Sequence, residues 1–251
     1  MKITLDDVVG LEHHKNIFKE ALFLKKENQN LYNELIKDKT KIKERKNFLL
    51  TGPSGSGKTY LVNAIANECN IKVIALNGAD LFDKFVGEGE KRLREVYIPQ
   101  GEFIVTIDEA EDTFKERKDD IKTNGLVNQM LYCMDGGFGN YEIITILMSN
   151  KPAIFDKSII SRIPLHHRLY FPKPDSKQKQ MIFEKQLSYH NHEENLIPTL
   201  LNLTEDWDSR NIEDLFAYAR NNALKNKRNY LAQEDFQEFF RRDTTYEWKT
   251  Q

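Results

Sequence analysis

Eight consecutive residues, Gly52-Pro53-Ser54-Gly55-Ser56-Gly57-Lys58-Thr59, fit the spacing G-x-x-x-x-G-K-[ST]. The glycines let successive backbone N–H groups curl around a phosphate chain, and a helix starting at Lys58 would add its positive end. Lys58 then reaches the terminal phosphates and the Thr59 hydroxyl is free to ligate Mg²⁺. The pattern also arises by chance, so its flanks decide. An apolar run, Asn47 to Thr51, precedes it, and a helical pattern, Tyr60 to Cys69, follows. A strand leading into the loop and a helix leaving it are the context that nucleotide binding requires. A second acidic signal lies downstream, where "FIVTI" runs into Asp108-Glu109. Two carboxylates at the carboxyl end of a buried strand sit where ligands bind in open α/β sheets. Asp108 is placed to hold Mg²⁺ and Glu109 to polarise an attacking water.

The elements that must carry these groups are legible as alternating patterns. Apolar runs at Asn47–Thr51, Ile71–Leu76, Phe103–Ile107, Ile143–Met148 and Arg168–Phe171 are separated by helical stretches. Near-continuous apolar strands between helices specify a five-stranded parallel sheet with helices on both faces. After "FPKPD" the strand signal ends. From Ser176 onward the apolar residues, including Ile212, Leu215, Phe216 and Ala219, recur at helical spacing and imply a small all-helical unit. Pro172 and Pro174 mark the boundary, so residues 1–174 are expected to form an α/β domain and 175–251 a helical one.

Composition narrows the function classes. A chain of 251 residues, 39% hydrophobic and 30% charged, can bury one good core and a smaller one. A net charge of -2 gives no general attraction to nucleic acid or anionic lipid. The basic stretch Lys37 to Lys46 reads as a solvated connector. "MKITLDDVVG" places acids where a signal peptide needs an apolar core, and no apolar run is long enough to span a bilayer, so a cytoplasmic protein without a membrane partner is expected. Cys69 and Cys133 lack metal-ligand neighbours and read as reduced thiols, and His166 and His167 read as surface side chains.

With these motifs in view, the chain resembles the AAA+ superfamily, and within it the AAA clade of ring-forming protein remodellers. "TLDDVVGLEHHKNIFKEAL" is similar to the family's opening segment, and its nearness to Met1 implies a single module without a separate N-terminal domain. The resemblance implies ATP and Mg²⁺ as cofactors, and a homo-hexameric ring acting on a protein substrate or adaptor. It places adenine contacts at Val9 and Gly10, through backbone, and phosphate contacts along Pro53, Ser54, Gly55, Ser56, Gly57, Lys58, Thr59 and Tyr60. Within "DKFVGEGEKRLREVY", Lys84, Phe85, Val86 and Gly87 resemble the first pore loop, in which Phe85 would wedge against a threaded polypeptide and Gly87 would leave the loop free to move.

Asn150, ending "ILMSN", resembles the sensor-1 residue that contacts the γ-phosphate and attacking water. The segment "DKSIISRIPLHHRLYFPKPD" departs from the family's usual Arg-Pro-Gly-Arg-Phe-Asp, so the arginine finger falls on Arg162 or Arg168. Arg162 follows the helix end as the family finger does, and Arg168 reads as a structural or second-finger residue. "WDSRNIEDLFAYARNNALKN" is similar to the lid helix, with Ser209 as its N-cap and Arg210 as a sensor-2 position facing nucleotide phosphate. An aromatic pore loop and near-neutral charge set a protein substrate against two alternatives, a nucleic-acid loader and a slow nucleotide-dependent assembly switch.

Overall fold

The structure, a computed structural model, describes residues 2–38, 45–82, 87–99, 101–116, 121–139, 142–151, 154–205 and 207–243. It divides into two compact units, residues 1–52 with 58–171, and residues 53–57 with 172–251. In chain order the first unit carries α1 (Glu12–Lys19), a π-helical turn (Glu20–Leu24), α2 (Lys25–Glu27), α3 (Gln29–Leu35), β1 (Asn47–Thr51), α4 (Lys58–Cys69), β2 (Lys72–Asn77), α5 (Gly78–Leu81) and α6 (Glu88–Tyr97). It continues with β3 (Phe103–Asp108), α7 (Ala110–Thr113), α8 (Ile121–Met134), β4 (Ile144–Ser149), α9 (Lys157–Ser161) and β5 (Arg168–Tyr170).

The five strands form one sheet in the order β2-β3-β4-β1-β5, with every pair parallel. The sheet is thus the open α/β arrangement that the apolar runs specify. Every residue of β1 and β4 is buried, as are the first five of β3, whereas the edge strand β2 is largely open. Registers Thr51↔Ser149 and Ile107↔Leu147 bring the carboxyl ends of β1, β4 and β3 side by side. Parallel pairing therefore delivers the start of the phosphate loop, Asn150 and Asp108-Glu109 to one edge of the sheet.

One departure from the sequence reading concerns the core. His167 is not a surface residue: it is 6% exposed and stacks on Phe48 at 4.1 Å, with Phe18 stacked on the other side of Phe48 at 4.4 Å. Its Nδ1 lies 3.1 Å from the Asn47 carbonyl oxygen. Burial, followed by the neighbouring His166 charge, lowers its pKa to about 4. The neutral imidazole behaves here as a flat aromatic with one polar handle, which buried rings of this kind require. His166 beside it is exposed.

The second unit contains α10 (Ser176–Ser188), α11 (Leu196–Leu203), α12 (Ser209–Lys225) and α13 (Gln233–Asp243). Phe183, Leu200, Ile212, Leu215, Phe216 and Phe236 form its own core. Asp208, not Ser209, caps α12: its carboxylate accepts the Asn211 N–H at 2.9 Å, and Asn211 Oδ1 accepts the Asp208 N–H in return. The carboxylate is the stronger acceptor and favours the positive helix end, so the cap falls one residue earlier than expected. Lys179, buried, donates from Nζ to the carbonyls of Thr204 and Glu205, satisfying acceptors at the end of α11. Among the described residues no helix is long and apolar enough to cross a membrane.

Candidate nucleotide-binding site

The phosphate loop leaves β1 through a tight junction. Gly52 has φ +141° and donates its N–H to the Ser149 carbonyl at 3.2 Å. A Cβ at this position would fall inside the contact radius of the Phe171 carbonyl oxygen, so both the dihedral and the space demand glycine. Further along the loop, Ser56 is buried and its Oγ has no partner among the described residues. A buried hydroxyl without a partner in a glycine-rich loop suits a phosphate oxygen as its acceptor.

Lys58 opens α4 and is 8% exposed. Its ammonium donates to the Gly52 carbonyl at 2.7 Å and to Asn150 Oδ1 at 3.0 Å. The structure therefore brings together two residues 92 positions apart that the sequence names separately as phosphate ligand and sensor. Thr59 is exposed, and its hydroxyl lies 3.8 Å from the weakly accepting Met148 sulfur. Asp108 is also exposed at the end of β3, and its Oδ1 accepts the Glu109 N–H at 2.9 Å. A hydroxyl and a carboxylate are the hard oxygen donors that Mg²⁺ takes, and the residues fit that ion.

Glu109 occupies the left-handed region at φ 51°, ψ 36°. A non-glycine residue there costs on the order of 1 kcal/mol and points to constraint by the surroundings. The constraint is visible: a Cβ on Gly78, the first residue of α5, would lie 2.5 Å from the Glu109 carbonyl oxygen, and Thr113 Oγ1 donates to the Gly78 carbonyl at 2.7 Å. The turn after β2 thus clamps the Glu109 backbone while its side chain stays exposed. Reversal at Glu109 also sends Glu111 inward, to 4% exposure, where Oε1 accepts the Asn150 N–H at 3.1 Å. Glu111 was not among the residues singled out from sequence, because nothing in the run Asp108-Glu109-Ala110-Glu111-Asp112 distinguishes it from its solvated neighbours.

The arginines have intramolecular partners. Arg162 is paired with Asp135, through Nε at 2.8 Å and Nη2 at 2.7 Å, and also donates to the Ser158 carbonyl at 3.1 Å. Arg168 donates to the carbonyls of Ile160, at 2.8 Å, and Ile163, at 3.0 and 3.1 Å, closing the end of α9. Its contacts are those of a structural cap, whereas Arg162 lies on a side-chain ion pair that a competing anion can exchange. Val9 is half-buried, and Gly10 and Leu11 both have positive φ as the chain turns into α1. Close by in sequence, His14 Nε2 lies 2.8 Å from the Tyr170 carbonyl and burial lowers its pKa. Tyr60 is partly buried against the core and Arg210 is exposed in the first turn of α12. Lys84, Phe85 and Val86 lie outside the described residues, and Gly87 is the N-cap of α6 with φ 94°. A left-handed cap gives that glycine a conformational reason distinct from loop mobility. Cys69 and Cys133 are free, and burial raises both thiols to about 11, which keeps them protonated.

The family model described as "ATPase family associated with various cellular activities (AAA)" matches residues 48–172, from β1 to just past β5. The chain is 32% identical over 185 residues to "Cell division cycle protein 48 homolog" of Archaeoglobus fulgidus, covering 71% of this chain and 25% of that protein. It is 30% identical over 246 residues to "ATP-dependent zinc metalloprotease FtsH" of Parabacteroides distasonis, covering 94% of this chain and 35% of that protein. To "Proteasome-activating nucleotidase" of Thermococcus gammatolerans it is 28% identical over 247 residues, covering 94% and 60%. The chain spans less than two thirds of the length of each of these relatives.

Proposed function

Since the chain belongs to the AAA family of ATPases, we propose that it hydrolyses ATP and uses the cycle, in a homo-hexameric cytoplasmic ring, to pull on and unfold a protein substrate. Residues 1–174 are the ATPase subdomain and 175–251 its lid. The observation that carries the reading is the bond from Lys58 Nζ to Asn150 Oδ1, which converges a phosphate-binding cation and a polar sensor on one point beside two strand-end carboxylates.

In this mechanism Val9 and Gly10 meet the adenine through backbone, and residues Pro53 to Tyr60 receive the phosphates. Lys58 exchanges its carbonyl and amide partners for phosphate oxygens. Thr59 and Asp108 would hold Mg²⁺, which would neutralise charge on the phosphates. Glu109, exposed and clamped at its backbone, accepts the proton of the attacking water while Asn150 fixes that water's orientation. Arg162 leaves Asp135 to stabilise a neighbouring subunit's phosphoryl group, Arg168 holds the end of α9, and Arg210 is the candidate sensor-2 contact to nucleotide phosphate. Lys84, Phe85, Val86 and Gly87 form the pore loop, with Phe85 as the aromatic that grips substrate. Relatives named as a proteasome-activating nucleotidase and an ATP-dependent metalloprotease support a protein substrate.

The test compares two variants of the purified chain. Glu109→Gln is expected to bind ATP as tightly as the parent and to lose turnover, whereas Lys58→Ala loses binding. Unchanged ATP affinity of Lys58→Ala by calorimetry, or full turnover of Glu109→Gln, refutes the assignment.

A further inference from the structure

Glu111 is a buried carboxylate that the mechanism above leaves unused. Its burial at 4% exposure is unusual for an acid, and the cost of placing a charge there must be met by partners. Among the described residues Oε1 has one, the Asn150 N–H at 3.1 Å, and the buried Oε2 has none. A side chain kept for packing alone would avoid both the charge and the unmatched oxygen. What the carboxylate does is hold the backbone at the point where β4 ends. The next group along is the Asn150 amide, whose Oδ1 accepts from Lys58 Nζ at 3.0 Å. The three residues form one line of hydrogen bonds, from α7 through the end of β4 to the start of α4.

We propose that Glu111 is a positioning residue for hydrolysis: through its bond to the Asn150 N–H it fixes the direction of the Asn150 side chain, and with it the spacing between Asn150 and Lys58. The proposal rests on the ATP-hydrolysis reading for its consequence in turnover. Its structural half, the Glu111–Asn150 bond, is independent of that reading. The geometry follows from the left-handed Glu109. Because the chain reverses there, Glu109 is exposed while Glu111, two residues on, is buried and reaches the Asn150 N–H just past the end of β4. Two acids of one run thereby take different tasks, one at the water and one behind the sensor.

Because Asn150 matters most when the γ-phosphate is attacked, a misdirected Asn150 lowers kcat and leaves ATP affinity nearly intact. Glu111→Met keeps the length and apolar volume of the side chain and deletes the acceptor. Glu111→Gln keeps an acceptor oxygen for the Asn150 N–H. Expected for Glu111→Met is a kcat loss of roughly 10- to 100-fold, the range that small displacements of a catalytic group produce, with the ATP dissociation constant changed less than about threefold. Glu111→Gln is expected to retain kcat within about threefold, since only the hydrogen bond is required. In the Asn150→Ala background, Glu111→Met should slow turnover no further, because the two residues act as a unit.

Hydrogen exchange at the Asn150 amide, followed by NMR, gives a readout separate from activity: protection should fall in Glu111→Met and persist in Glu111→Gln. The proposal is overturned by a Glu111→Gln variant as slow as Glu111→Met, by multiplicative losses in the double variant, or by unchanged exchange. It is equally overturned if exchange rises and kcat does not fall. A parent protein that exchanges as described and hydrolyses no ATP would instead refute the ATPase reading, and the two failures are distinguished by that pair of measurements.

Discussion

Protonating His167 should destabilise the unit that carries the β-sheet, and the size of the effect can be worked from the structure. The ring is 6% exposed, stacked on Phe48 at 4.1 Å, with Nδ1 positioned to donate to the Asn47 carbonyl. Burial first, and the His166 charge second, lower its pKa to about 4, against about 6.5 for a histidine in an unfolded chain. The folded state therefore binds fewer protons than the unfolded state throughout that interval. Stability contributed by the neutral ring is complete above the unfolded pKa and is lost as pH falls toward the folded one. Integrating the linkage between pH 7.5 and 5 gives a loss of about 2 kcal/mol from this residue alone. His14, whose pKa is also lowered by burial, acts in the same direction, so the informative quantity is a difference between proteins. His167→Phe retains the stack and removes the titration. It gives up the bond to Asn47, which costs about 1–3 kcal/mol at neutral pH if the carbonyl is left unpartnered. Urea denaturation of both proteins from pH 7.5 to 5 should show the parent losing about 2 kcal/mol more than the variant. Parallel pH profiles would refute the buried, neutral ring.

Two further perturbations address the site. Gly52→Ala meets both a φ of +141° and the Phe171 carbonyl, and should lower stability by about 2 kcal/mol or more in thermal unfolding; an unchanged melting temperature would mean that the junction between β1 and the phosphate loop can relax. Arg162→Ala and Asp135→Asn both break the same half-buried ion pair and should each cost on the order of 1 kcal/mol in stability, but only Arg162→Ala should abolish turnover while ATP binding persists, and equal turnover losses in the two would reduce Arg162 to a structural role.

The sheet was legible because its signals are local. Each apolar run is consecutive, and β1 occupies the five residues read from sequence, Asn47–Thr51. Shifts at the other strands have physical causes beyond the run itself. Ile71 is apolar and reads as strand, yet its N–H bonds to the Ala66 carbonyl, completing the end of α4, so β2 begins at Lys72. Asp108 extends β3 by one residue because its backbone continues in register with Asn77. The α12 cap falls on Asp208 and not on Ser209 by a competition between two adjacent capping residues that propensity alone leaves close.

The site divides along the same line. The phosphate loop and the Asp108-Glu109 pair are stretches in which the proposed task falls on neighbouring residues, so type and spacing suffice to propose them. Glu111, Asp135 and His167 acquire their roles from partners 39, 27 and 120 positions away, respectively Asn150, Arg162 and Asn47. No local periodicity encodes such a meeting, and each of these residues read singly has the composition of a surface: an acid in an acidic run, an acid in a glycine-rich turn, one of two adjacent histidines. What brings Glu111 to its partner is the sheet. Because β4 lies between β1 and β3, its last residues are within reach of both the loop after β1 and the turn after β3. Asn150 can therefore bond Lys58 with its side chain and Glu111 with its backbone at once. An open parallel sheet of a different strand order would preserve both motifs and lose this coupling, so it is the order of the strands that joins the two motifs into one site.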